Sequence, residues 1–283
     1  MSPPTCRSRR TRAEMAEIRD RILEIAEQDQ PVTIRQLFYR LVSAGVIEKT
    51  ENEYKSTVVR LCGAMRKAGQ LPWDWVADNT RWMRKPRTFG SATAALIATA
   101  RTYRRSLWAN ASDYVEVWLE KEALAGVLYD ATEEWDVPLM VARGYSSLTF
   151  LHSSAVHFPC DRCTYIYYFG DFDPSGVNIA QTVERQLREF ADPEVEIHFD
   201  RVAVTEEQVT ELDLPLRPTK RTDSRAKGWK GGSVEVDAIP PGTLRELCEA
   251  RIREHVDQEQ LRVLLEIEDS ERRLLGELAV ESL

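Results

Sequence analysis

The chain has 283 residues, 43% of them hydrophobic and 30% charged, so it is long enough for two modest domains and too apolar to be disordered. No apolar run approaches the roughly 20 residues that a membrane-crossing helix requires, so no membrane span is expected. The formal net charge of −8 hides a polarity: residues 1–110 hold 20 Lys+Arg against 11 Asp+Glu, and the remainder holds 18 against 35.

The basic N-terminal part suits a phosphate backbone, and the acidic remainder suits metal binding or plain solubility. Cys6 to Arg12 is basic but runs into an amphipathic pattern, without the apolar stretch of a signal peptide. A cytoplasmic protein is expected. Five cysteines, Cys6, Cys62, Cys160, Cys163 and Cys248, are an odd number scattered along the chain, which points to reduced thiols. Cys160 and Cys163 have zinc-like spacing with His152 and His157 just upstream, but no second close pair completes a zinc motif.

Residues 12–28 place Met15, Ile18, Ile22, Leu23, Ile25 and Ala26 at helical spacing, which predicts a first amphipathic helix. Pro31 and a capping Thr33 open a second, which ends at Gly45. A third is expected over 56–69, with Val58, Leu61, Cys62 and Met65 inward and Arg60, Arg66 and Lys67 outward. Three short helices with a basic third one suggest a winged-helix or helix-turn-helix module, in which Arg60, Arg66 and Lys67 meet DNA. Residues 71–87 would form the wing, and an Ala-rich linking helix over 91–107 would complete a domain spanning 1–107.

Beyond it, short strands alternate with helices over 114–119, 123–135, 138–142, 147–157, 164–169, 175–190 and 195–201. Such alternation predicts that 108–283 is an α/β domain with a mainly parallel sheet flanked by helices. Tyr165 to Phe169 is apolar on both faces, as a central parallel strand should be. Residues 215–232 hold Lys220, Arg221, Arg225, Lys227, Lys230 and three glycines, and read as a basic loop that either contacts DNA or is a solvated linker. A short strand over 233–237 and helices over 243–255 and 258–278 finish the chain.

In an open parallel sheet, ligands gather at the C-terminal ends of the strands. The strand beginning near Val115 delivers Glu120 there, and the strand ending at Phe169 delivers Gly170-Asp171-Phe172-Asp173-Pro174-Ser175-Gly176. Asp171 and Asp173 are two apart and fall on one side of an extended chain. Three converging carboxylates would repel one another unless a cation neutralised them, and all-oxygen ligation selects a hard ion such as Mg²⁺. Pro174 suits the first position of a helix, and Gly176 would let substrate or metal approach the backbone. An Asp-x-Asp pair alone is common in solvated or capping loops; its combination with Glu120-Lys121 on an earlier strand is more specific.

Leu119-Glu120-Lys121-Glu122-Ala123, Gly144-Tyr145 and Asp171-Phe172-Asp173-Pro174-Ser175-Gly176 together resemble the Toprim domain. Within it they are most similar to the A subunit of topoisomerase VI and the related meiotic double-strand-break transesterases. The resemblance extends over most of the chain, because those proteins also place a winged helix before the Toprim domain. It implies that Glu120, Asp171 and Asp173 bind magnesium, with Glu122 nearby and Lys121 facing double-stranded DNA, and it suggests association with the nucleoid.

Thr33-Ile34-Arg35-Gln36-Leu37-Phe38-Tyr39 resembles the family's Arg-Asp-x-Tyr-Tyr pattern, with Gln36 replacing the acid and Phe38 the first aromatic. The match points to Tyr39 as nucleophile. At about 100° per residue, Ile34, Leu37, Phe38, Leu41 and Val42 form one stripe, and Tyr39 projects well over a quarter-turn from its centre. Its hydroxyl is therefore expected outside the core, with Arg35 on the same flank to steady a phosphate or favour the phenolate; the alternative is an interfacial tyrosine.

The resemblance implies transesterification, in which Tyr39 attacks a DNA phosphorus and leaves a 5′-phosphotyrosyl link and a 3′-hydroxyl. Cutting both strands takes two tyrosines, which implies a homodimer with each tyrosine meeting the metal site of the other copy. The family's topoisomerase works with a separate ATPase subunit, whereas this chain has no Walker A sequence. The short stretch before the tyrosine motif resembles the small standalone Mini-A relatives. DNA cleavage and rejoining is therefore expected ahead of strand passage. Two rivals stay open: a Toprim nuclease using metal-activated water, and a non-catalytic winged-helix DNA-binding protein. Val234-Glu235-Val236-Asp237-Ala238 is expected to bring Glu235 or Asp237 near the active site, with no physical argument in the pattern to choose or require either.

Overall fold

The computed structural model describes residues 10–76, 87–144, 146–218, 229 and 232–281. Helix α1, Arg12–Asp29, starts at a capping box in which Thr11 and Glu14 satisfy each other's backbone amides, and it buries Ile18, Ile22, Ile25 and Ala26. Thr33 and Gln36 make the same device for α2, Ile34–Ser43. Gly45 takes a positive φ just after α2, as a C-terminal stop requires. The third helical segment starts three residues earlier than its periodicity predicts, as a π-helical run Glu53–Val59 that leads into α3, Arg60–Lys67. Val76 bridges Val32, and residues 77–86 of the expected wing lie outside the described residues.

Helix α4, Ala92–Thr102, precedes the sheet, whose strands are β1, Asp113–Leu119; β2, Leu139–Val141; β3, Cys163–Phe169; and β4, Ile197–Ala203. All neighbours are parallel, in the order β2-β1-β3-β4. Between and after them come α5, Ala125–Glu134; α6, Leu148–Ala155; α7, Pro174–Phe190; α8, Glu206–Glu211; α9, Pro241–Arg253; and α10, Gln258–Glu281. The strand expected over 233–237 does not form. Ser233 and Val234 make single bridges to Arg217 and Phe172, and Val236–Ala238 is a 3-10 turn, so this segment crosses the sheet's C-terminal end instead of extending the sheet.

Parallel strands are covered on both faces, and here the two covers differ. Trp118, Ile166 and Tyr168 pack on one side with Leu151 of α6 and Ile179 and Val183 of α7. Val115, Val117, Leu119 and Phe169 join a single larger core with Leu128 of α5, Leu244 of α9, and Leu37 and Leu41 of α2. The N-terminal helices and the sheet therefore share one apolar interior. His255, just past α9, holds that layer to β1 and β3: its Nδ1 pairs with Asp113 at 2.6 Å and its Nε2 with the Tyr167 hydroxyl at 2.6 Å. No helix among the described residues is long and apolar enough to cross a membrane.

Candidate active site

β1 and β3 end level, Leu119 against Phe169, which sets Glu120 beside Gly170 and Asp171. Glu120 is 9% exposed, and its Oε2 accepts a hydrogen bond from the Asp171 amide at 3.1 Å. A Cβ on Gly170 would crowd that carboxylate, so glycine lets the two strand ends approach. Burial, and then the Asp171 charge, push the Glu120 carboxyl up to about 7. Burial raises Asp171 as well, against the pull of Lys121.

Asp171 Oδ1 accepts from the Val236 amide at 2.8 Å, which anchors the 236–238 turn over the strand end. Lys121, expected to face DNA, turns inward: its ammonium lies 2.6 Å from Asp237, 3.0 Å from Asp171 and 3.2 Å from Glu235. Against the effect of burial, Asp237, Asp171 and Glu235 hold Lys121 above the ordinary lysine range. Both Glu235 and Asp237 thus stand at the site, where the sequence offered one or the other without a physical argument.

Asp173 caps α7, its Oδ1 accepting from the Gly176 amide at 2.7 Å, with Pro174 at the first helical position. Gly176 serves the chain's own backbone, because a Cβ there would run into the Asp171 carbonyl. Gly176→Ala is expected to cost about 1–3 kcal/mol in denaturant unfolding by forcing this loop off α7; a change within about 0.5 kcal/mol would show the loop moves freely.

Sequence reasoning missed Arg201. From β4 its guanidinium donates to the carbonyls of Gly170, Asp171, Gly176 and Val204, which ties the Asp171–Gly176 loop to the sheet. A cation directly before the apolar run Val202-Ala203-Val204 was the available signal.

Glu120, Asp171 and Asp173 supply only carboxylate oxygens, the donor type of a hard divalent ion, and burial first and the Asp171 charge second raise the Glu120 carboxyl. The convergence expected of these three acids is not seen: their donor atoms do not form a group within 4.8 Å of one another, as those of a second set do. Among the described residues, donor atoms of Cys163, Glu196 and His198 all lie within 4.8 Å of one another, at the opposite end of the sheet.

Tyr39 is 1% exposed, which corrects its expected place outside the core. The flank of α2 left open by the apolar stripe is covered by the 236–238 turn and by Arg217. The Arg217 guanidinium lies 5.3 Å and the Lys49 ammonium 5.5 Å from the ring centre. The Tyr39 hydroxyl closes no hydrogen bond of good geometry. Burial and then the Glu235 carboxylate raise it above the ordinary tyrosine range, with Arg217 opposing. Burial, and then Arg217, bring Lys49 down to about 8. Arg35 donates to Glu51 at 3.3 Å and stacks on Tyr54 at 4.3 Å, so it shapes the field around Tyr39 while bonded elsewhere.

No family model and no curated protein matches this chain. Its functional reading therefore rests on its own side chains and their geometry.

Of the expected DNA contacts, Arg60 and Lys67 are exposed, while Arg66 stacks on Trp73 at 4.2 Å. Arg60 also lines an open groove of about 1040 Å³ with Arg10, Arg12 and Arg19, where Glu48 and Glu53 are the acids. Tyr145 and the loop cations Lys220, Arg221, Arg225, Lys227 and Lys230 lie outside the described residues. The zinc reading of Cys160 and Cys163 with the upstream histidines does not hold: the His152 ring packs on Phe190, and His157 bonds the Ser153 carbonyl.

Proposed function

We propose that this chain is a magnesium-dependent DNA-cleaving transesterase of the topoisomerase VI A type. Tyr39 is the nucleophile, and Glu120, Asp171 and Asp173 are the magnesium ligands. The observation that carries this reading is a shared carboxylate: Glu235 borders Tyr39 on one side and Lys121, the counter-ion of Asp171, on the other. A tyrosine from the basic helical part is thereby held beside the acids at the sheet's C-terminal end, where ligands collect. The helical part would act as a winged-helix DNA-binding domain, its arginine groove taking the phosphate backbone, and the sheet as a Toprim domain.

In the proposed step, the Tyr39 oxygen forms a bond to phosphorus while the bond from phosphorus to the 3′ oxygen breaks. The phenolic proton passes to Glu235, the 3′ oxygen takes a proton from solvent, and Arg217 and Lys49 offset charge on the phenolate as it forms. Magnesium, when bound, supplies charge neutralisation at the scissile phosphate. The enclosure of Tyr39 in the free chain means that DNA binding has to uncover its hydroxyl while keeping Glu235 beside it. Two copies would act on the two strands.

That enclosure, with a Glu120 carboxyl near 7 suited to taking a proton from water, favours a second reading as a hydrolytic nuclease. Denaturing the protein after incubation with supercoiled DNA and Mg²⁺ separates the two. The transesterase leaves protein covalently attached to 5′ ends, and Tyr39→Phe leaves none. Equal cleavage by both proteins with free ends would establish hydrolysis. Binding without cleavage, unchanged in Asp171→Ala, would establish a non-catalytic DNA-binding protein.

A further inference from the structure

The start of the sheet, opposite the carboxylates, carries a chemically different set of donors. Thr164 pairs with Ile197 and Tyr165 with His198, so Cys163 at the start of β3 is level with Glu196. Alternation along the strands then puts Cys163, Tyr165, Glu196 and His198 on one face. Glu196 Oε2 lies 3.6 Å from Cys163 Sγ, and Glu196 Oε1 lies 3.2 Å from His198 Nε2. The spacing is fixed by the backbone, since the Thr164 amide donates to the Glu196 carbonyl at 2.8 Å. Tyr165 stacks on the His198 ring at 4.5 Å and 15°, which sets the ring's orientation.

We propose that Cys163, Glu196 and His198 bind a divalent ion of the zinc class. A thiolate, an imidazole and a carboxylate make a borderline-soft set that suits Zn²⁺ and not Mg²⁺. Zinc bonds of about 2.0–2.3 Å in tetrahedral geometry place ligand atoms about 3.5 Å apart, a small closure for donor atoms that already lie within 4.8 Å of one another. A water takes the fourth position. The ion replaces the thiol proton and pins the edge strand β4 to β3. This site stands apart from the carboxylate site in both place and donor chemistry, and it holds whether or not the chain cleaves DNA.

Titration of the full chain with Co²⁺, a coloured stand-in for zinc, tests it. One equivalent is expected to give a thiolate-to-cobalt charge-transfer absorption that Zn²⁺ displaces. Cys163→Ser should abolish the band, and His198→Ala should weaken binding at least about ten-fold. Cys160→Ser and Asp171→Asn should keep it, which separates this site from the upstream cysteine and from the carboxylates. Absence of the band at saturating Co²⁺, its survival in Cys163→Ser, or its loss in Cys160→Ser would overturn the assignment.

Discussion

Lys121→Met is expected to lower stability by about 3–5 kcal/mol in denaturant unfolding at pH 7, the usual cost of leaving buried carboxylates without their cation. The Lys121 side chain is 23% exposed and Asp237 only 3%, so solvent screens this pair poorly. Methionine keeps the length and apolar stem of lysine, which isolates the charge. Because the folded lysine is raised, its contribution is complete below the ordinary lysine value and fades only as pH rises through the folded one. The lysine itself does not titrate between pH 6 and pH 8, and the loss should grow over that range only as far as Glu120, which Lys121 helps to ionise, loses its proton near 7. Adding Asp237→Asn should recover part of it, since the two residues act as one unit. A loss under about 1 kcal/mol, or strict additivity, would mean that water already solvates these acids.

The secondary structure was largely legible because it is written in local periodicity. The run Tyr165 to Phe169 announces a buried strand, and Pro31 with a capping Thr33 announces a helix start, through contacts a few residues apart. The acids at the strand ends followed from the rule that parallel strands deliver their ligands at one end. Tyr39 was misplaced for the complementary reason. A helical wheel shows which flank of α2 is most apolar, but the cover on its second flank comes from Arg217 and the 236–238 turn, nearly two hundred residues later. Periodicity holds nothing about such distant cover.

Lys121 was misread in the same way. As a lysine after a strand, it has the ordinary signature of a surface cation, and only the arrival of Asp237 and Glu235 turns it inward. The zinc-like spacing pairs Cys163 with Cys160 and the upstream histidines, whereas the structure brings Glu196 and His198 to it. Neighbours in sequence, Cys160 and the upstream histidines, lie on a turn and a helix, whereas Glu196 and His198 reach Cys163 through strand register. Register is set by the whole sheet, so a spacing rule cannot see it.

Glu120→Gln is expected to abolish DNA cleavage while making the metal-free chain more stable at pH 8, by about 3 kcal/mol. The sign follows from the carboxyl being raised from 4.5 to about 7 in the folded chain. Between those values the folded state binds more protons than the unfolded one, so rising pH lowers stability until Glu120 is fully ionised. Glutamine cannot ionise and escapes that loss, so variant and parent should be nearly equal near pH 4.5 and diverge upward. Mg²⁺ should raise the melting temperature of the parent at pH 8 and leave the variant unchanged, because a bound cation supplies the neutralisation that glutamine has made unnecessary. A variant less stable than the parent at pH 8 would mean that Arg201 and Lys121 already neutralise Glu120. Glu120 would then need no added cation, and the argument for magnesium would rest on Asp171 and Asp173 alone.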